Sequence, residues 1–172
     1  DTGDADGTVT GTADIPVMDQ SDWTGIIESF LGEIEQVPPM YSALKKDGKR
    51  FYELARQGQT IERNARPVTI HQIDLLEVTT RQLVFRVRCS KGTYIRTLVE
   101  DIAAAAGTVA YTASLHRETV GEFRTEDMLD LCGVEKAAEV EPDRLRQKLM
   151  PADAALAAWP SCNVAPEEEV AF

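Results

Sequence analysis

The sequence predicts an α+β fold, a mainly antiparallel mixed sheet with flanking helices, and three observations carry that prediction. Leu83, Phe85, Val87 and Cys89 alternate with Val84, Arg86, Arg88 and Ser90, the two-residue period of a half-buried strand. Ile95, Leu98, Val99 and Ile102 recur at helical spacing, the mark of an amphipathic helix. Asp47-Gly48 is the dipeptide of a tight hairpin. At 172 residues, 43% of them hydrophobic and 27% charged, the chain has enough apolar side chains for a core.

The elements follow in order. Val9 to Ala13 is predicted as a short strand. Ser21 is placed to cap a helix over 22–31, with Trp23, Ile26, Ile27 and Phe30 on one face and Gly32 as its stop. Pro38-Pro39 forces an extended segment, and Tyr41–Leu44 is predicted as a strand leading into the Asp47-Gly48 hairpin. A short helix spans Phe51 to Gln57 and ends at Gly58. An extended stretch runs from Pro67 through Val78, followed by the strand Leu83–Cys89. Thr93 to Ala106 is predicted as a helix closed by Gly107. Tyr111–Val120 is predicted as a strand, then helices near 126–131 and 134–149. The last 22 residues, with Glu167-Glu-Glu169, have the composition of a linker.

Net charge is −11, but it is unevenly spread: −9 over residues 1–39, +6 over 40–100 and −8 over 101–172. A basic island in an acidic chain attracts a polyanion through its local potential, whatever the total charge. Cys89, Cys132 and Cys162 are odd in number and widely spaced, and there are two histidines, so neither a disulfide framework nor a zinc site is expected. No apolar run reaches the length of a membrane span. A reducing, cytoplasmic setting is the expectation. Asp1–Gly7 has the acids of a calcium loop, but Thr2 and Ala13 fall where such a loop requires carboxylates.

Lys45, Lys46, Lys49, Arg50, Arg56, Arg63 and Arg66 lie within 22 residues, interleaved with Tyr41, Phe51 and Tyr52. Cations for phosphates beside rings for bases form an RNA-binding composition, although a solvated basic face over core aromatics has the same look. Cys89-Ser-Lys-Gly-Thr-Tyr-Ile-Arg96 is a strand, a glycine turn and a helix start, an arrangement that brings Lys91, backbone N–H groups and Tyr94 toward one anion. Arg96 could equally pair with Glu100 along the helix.

Four blocks carry a resemblance. Gln36-Val-Pro-Pro-Met-Tyr-Ser-Ala-Leu-Lys45, Gly48-Lys-Arg-Phe-Tyr-Glu-Leu-Ala-Arg-Gln-Gly58, Cys89-Ser-Lys-Gly-Thr-Tyr-Ile-Arg-Thr-Leu98 and Ser114-Leu-His-Arg-Glu-Thr-Val-Gly121 closely resemble the bacterial TruB-type tRNA pseudouridine-55 synthases. The match is dense over roughly residues 1–130. It implies isomerisation of the T-loop uridine of tRNA to pseudouridine by a monomer, without metal or cofactor. An aspartate initiates cleavage of the glycosidic bond of a flipped base.

The resemblance assigns positions. Tyr94 matches the tyrosine lining the uridine pocket, and Leu115 an apolar wall of that pocket. Arg96 matches the arginine that holds the catalytic aspartate, and Asp4 a carboxylate of the same network. Residues 38–67 match the thumb-like insertion that grips the tRNA T-stem-loop, which coincides with most of the basic island. Lys91 joins Lys45, Lys46, Lys49, Arg50, Arg56, Arg63 and Arg66 as an RNA-contacting candidate. One departure matters: the nucleophilic aspartate of the family sits in a Gly-x-Leu-Asp-Pro-x-Ala-x-Gly-like motif, and these 172 residues contain none. The expectation is a partial catalytic domain over 1–150, the later half of such a domain, with 151–172 a linker and the start of a PUA-like domain. An RNA-binding module without catalysis is the alternative.

Overall fold

The computed structural model describes residues 1–46, 48–140 and 142–160. They fall into two compact units, Asp1–Leu115 and a second beginning at His116.

The first unit contains helix α1 (Gln20–Glu28), strands β1 (Gly32–Gln36), β2 (Lys45–Lys46) and β3 (Lys49–Arg50), helix α2 (Phe51–Arg56), strands β4 (Arg66–Val78) and β5 (Leu83–Cys89), and helix α3 (Ile95–Ala105). An antiparallel sheet has the order β1-β4-β5, and β2 and β3 form a separate hairpin. Helix α1 starts before its predicted cap. Asp19 rather than Ser21 caps it, because Asp19 Oδ1 accepts the Asp22 N–H at 2.9 Å and Asp22 Oδ2 accepts the Asp19 N–H at 3.1 Å. This reciprocal box satisfies two end donors that a cap at Ser21 would leave open.

The core packs Trp23 and Ile27 of α1, and Leu98 and Ile102 of α3, against Ile70 and Ile73 of β4. Each such buried aliphatic side chain contributes about 1.5–3 kcal/mol. Along β5 the predicted alternation holds: Leu83, Phe85, Val87 and Cys89 are half-buried, whereas Val84, Arg86 and Arg88 are exposed. Strand β4 departs from strict alternation, for a physical reason. Register shifts at Ile70/Gln72 and Leu75/Glu77 each insert one residue opposite β5. Ile70, Ile73, Leu75 and Val78 thereby stand opposite Cys89, Val87, Phe85 and Leu83 although their own spacing is uneven. The two bulges keep every large apolar side chain of β4 in this run except Leu76 paired with the core-facing row of β5.

Other predicted elements differ. Val9–Ala13 is irregular, with Val9 72% exposed and no strand paired with it among the described residues. Tyr41–Leu44 is a series of bends, because the Ser42 and Leu44 carbonyls accept the Tyr52 and Phe51 N–H groups at the start of α2. Strand β1 was not anticipated; its one large apolar residue, Ile34, sits between glutamates, and it is a strand because β4 pairs with it. The hairpin turn holds Gly48 at φ +80°. Its Asp47 lies outside the described residues.

In the second unit, β6 (Thr119–Val120) pairs with β7 (Phe123–Arg124), and a 3-10 turn covers Thr125–Asp127 where a helix was predicted over 126–131. The predicted strand Tyr111–Val120 is reduced to β6 and one bridging residue, Thr112. The predicted helix 134–149 is two helices, α4 (Leu131–Val140) and α5 (Pro142–Gln147). Pro142 lacks the N–H that would continue α4 and instead opens α5, where that donor is not needed. Of the predicted C-terminal linker, Ala154–Leu156 forms a 3-10 turn, and 161–172 lie outside the described residues.

Candidate functional site

The site is built where α3 begins. Strand β5 ends at Cys89 and Gly92 takes φ +85°, a conformation that costs other residues backbone strain, so the chain turns sharply from strand to helix. Tyr94 occupies the helix cap in extended conformation. Arg96 follows in the first turn, half-buried.

Three oxygens surround the Arg96 guanidinium. Nη1 donates to the Thr2 carbonyl at 3.0 Å and to Asp4 Oδ2 at 2.9 Å, and Nη2 donates to the Tyr41 carbonyl at 2.7 Å. The ion pair joins residues 92 positions apart, and Glu100 is not among the partners of Arg96. The side chains of Arg96 and Asp4 retain 24% and 32% exposure, so the pair is partly shielded from water. A guanidinium has five N–H donors, and three are engaged; the other two find no acceptor among the described residues.

Asp4 is itself fixed. Its Oδ1 accepts the Thr2 hydroxyl at 2.7 Å and the Asp6 N–H at 3.3 Å. Its backbone bridges Thr112, whose N–H donates to the Gly3 carbonyl at 2.9 Å. Gly3 has φ +75°, and a Cβ there would stand 2.9 Å from Glu100 Oε1, so glycine is what lets this loop lie against α3. The Thr2 hydroxyl and, after it, the Arg96 charge hold the Asp4 carboxyl below the ordinary aspartate range, against an opposing desolvation effect. A depressed folded-state pKa stabilises the fold above the unfolded value, about 3.9, and that contribution disappears as pH falls through the folded value. The urea midpoints of the wild type and Asp4→Asn should therefore differ most near neutrality and converge below about pH 4. A gap of constant size across that range would contradict the electrostatic account of Asp4.

A residue that the sequence reading passed over joins this site from β1. Gln36, the last residue of β1, is 2% exposed. Its Oε1 accepts the Tyr94 N–H at 2.9 Å and its Nε2 donates to the Tyr94 carbonyl at 3.3 Å. Because Gln36 holds the Tyr94 N–H, that donor is not available to the anion envisaged at this turn. Lys91 is exposed in the same turn. Leu115, three residues beyond Thr112, is 60% exposed.

The basic island divides into two groups. Lys45, Lys46, Arg63 and Arg66 line a cavity of about 180 Å³, together with Phe51 and Glu62 among others. Lys45 stands opposite Arg50, and Lys46 opposite Lys49, in the β2–β3 hairpin, all four exposed. On α2 the Tyr52 ring has the Arg50 and Arg56 guanidinium carbons 5.7 and 5.4 Å from its centroid, and Arg50 Nη1 donates to the Tyr52 hydroxyl at 2.8 Å. Arg63 Nη1 donates to the Pro38 carbonyl at 3.0 Å, joining two segments 25 residues apart.

The described residues thus hold a helix-start arginine paired with a distant aspartate, and a cationic hairpin followed by an arginine-flanked tyrosine. Residues 1–95 match the family model described as TruB family pseudouridylate synthase (N terminal domain), and residues 96–157 match the tRNA pseudouridylate synthase B C-terminal domain. The chain belongs to the TruB family of pseudouridylate synthases. It is 47% identical over 163 residues to tRNA pseudouridine synthase B of Nitrosococcus oceani, covering 95% of this chain and 53% of that protein. It is 45% identical over 173 residues to the Azoarcus sp. protein of the same name, covering 100% of this chain and 56% of that one. The chain thus spans about half the length of these curated relatives. Among solved structures it resembles a chain of a Cbf5-Nop10-Gar1 complex, with a TM-score of 0.63 and 26% identity over 82% of this chain and 40% of that one.

Proposed function

We propose that the full-length protein carrying this sequence isomerises the T-loop uridine 55 of tRNA to pseudouridine, and that these residues supply part of its catalytic domain. Family membership supports the reaction, and the Arg96–Asp4 ion pair is the observation that carries the site assignment. In this reading the two unengaged donors of Arg96 hold the nucleophilic aspartate of the upstream Gly-x-Leu-Asp-Pro-type motif, a charge-assisted role suited to a planar fork. Asp4, with its Thr2 and Asp6 donors, keeps Arg96 aimed. Tyr94 and Leu115 form walls of the pocket for the flipped uracil.

Residues 38–67 act as a thumb on the T-stem-loop, with Lys45, Lys46, Lys49, Arg50, Arg56, Arg63 and Arg66 against phosphates and Lys91 at the pocket rim. Attack by the aspartate accompanies cleavage of the N–C glycosidic bond. The base turns and rejoins the sugar through a ring carbon, and the bond to the aspartate breaks. That carbon gives up its proton and the freed ring nitrogen takes one up, so the product is an isomer of the substrate. The protein works as a cytoplasmic monomer, and 1–150 belong to the catalytic domain, with 151–172 leading to a PUA-like domain.

The lack of the aspartate motif within these 172 residues favours binding without turnover for the chain taken alone. A T-stem-loop RNA should bind the isolated chain yet yield no pseudouridine, because losing the nucleophile removes the covalent step but leaves the binding contacts. The full-length protein should convert the same RNA. Turnover by the isolated chain would require another nucleophile within it, and a full-length protein that forms no pseudouridine would overturn the reading.

A further inference from the structure

Gln36 differs from every other polar side chain near the site. It is buried to 2% exposure, and its amide oxygen and nitrogen both bond the main chain of one residue, Tyr94, 58 positions away. The Oε1 and Nε2 groups pair with the Tyr94 N–H and carbonyl as a neighbouring strand would. The Tyr94 carbonyl also accepts the Leu98 N–H at 3.0 Å, the first turn of α3. The same peptide that aims the Tyr94 ring therefore starts the helix that carries Arg96. Five residues after Gln36, the Tyr41 carbonyl receives Arg96 Nη2, so the segment from 36 to 41 grips the start of α3 at two points. Gln36 itself stands opposite Arg66, a residue of the basic island, in the β1–β4 ladder.

We infer that Gln36 is a positioning residue for the reaction: its amide sets the backbone of Tyr94, and through it the Tyr94 ring and the Arg96 guanidinium, relative to the reacting uridine. The inference rests on the proposed synthase activity. A buried amide is an expensive way to fill space, since both its polar groups must be satisfied, whereas methionine would fill a similar volume without that demand. What methionine cannot do is hold a peptide at fixed orientation. Misplacement of a site by about 1 Å from outside the reacting atoms costs up to about 100-fold in rate.

The test uses the full-length protein, with kcat and KM measured on a T-stem-loop RNA well below each variant's melting temperature. Gln36→Met should lower kcat by about 10- to 100-fold and leave KM within about threefold, since the cationic hairpin is untouched. Gln36→Glu adds a readout that simple packing would not move. A protonated carboxyl offers one donor and one acceptor, the pattern of the amide, whereas the carboxylate only accepts. Relative to wild type, kcat of Gln36→Glu should therefore rise as pH is lowered and its buried carboxyl takes up a proton. Should Gln36→Met fail to fold, that pH profile decides alone. A folded Gln36→Met with wild-type kcat overturns the inference, as does a Gln36→Glu deficit equal at every pH. A rise in KM with kcat intact would place Gln36 in the RNA grip and also overturn it. A wild type without product would overturn the functional reading and this inference with it.

Discussion

Arg96→Ala in the full-length protein should lower pseudouridine formation by about 100-fold or more, while the affinity for a T-stem-loop RNA changes by less than about threefold. The guanidinium reaches three oxygens at 2.7 to 3.0 Å, one of them the Asp4 carboxylate, and it does so from the first turn of a helix whose start is clamped. Preorganised charge of this kind acts on the reacting groups and contributes little to holding the rest of an RNA. Arg96→Lys should be damaged nearly as much. Lysine keeps the charge, but a single ammonium cannot meet Asp4 and the Tyr41 carbonyl from two nitrogens and still present donors in a plane. Single-turnover rates set beside filter-binding affinities measure the contrast. Equal losses of rate and affinity, or an active lysine variant, would remove Arg96 from the chemistry and return it to a structural pair.

Residues visible in the sequence and residues visible only in the fold divide along one physical line. Strand β5 and helix α3 were legible because each buries one face, and burial imposes a period on neighbouring residues. Strand β4 was legible as extended chain, but its two bulges were not: they exist to match an uneven row of apolar residues to the even row of β5. Strand β1 left almost no local trace, since its pairing with β4 rather than its own side chains makes it a strand.

The site followed the same line. No periodicity links Asp4 to Arg96 across 92 residues; the motif resemblance supplied that pair, and the 2.9 Å contact gives it a geometry. Gln36 is one polar residue before the extended Val37-Pro38-Pro39 run, with nothing in the sequence to mark its amide as buried. Only the meeting of β1 with the start of α3 reveals its use. Residues that act through main-chain contacts far along the chain are the ones that sequence patterns hide.

Replacing Lys45, Lys46, Lys49 and Arg50 together by alanine should weaken T-stem-loop binding by about 100-fold near physiological salt and flatten its salt dependence, because each lost phosphate contact removes about 0.7–0.9 from the slope of log affinity against log salt. Four contacts then account for a slope change of about 3. The hairpin makes the argument specific. Lys45 opposite Arg50 and Lys46 opposite Lys49 are like charges in register, an arrangement that destabilises a strand pair unless an anion lies across it. Cross-strand repulsion of this kind costs a few tenths of a kcal/mol or more per pair, so relieving it offsets the loss of the exposed Arg50–Tyr52 contact and should leave the melting temperature little changed. Loss of affinity with undiminished stability is the signature of an interface. A quadruple variant that binds RNA as before, with the same salt slope, would make the hairpin a solvated face and shift the grip to Arg56, Arg63 and Arg66, where guanidinium groups lie beside Tyr52 and the cavity.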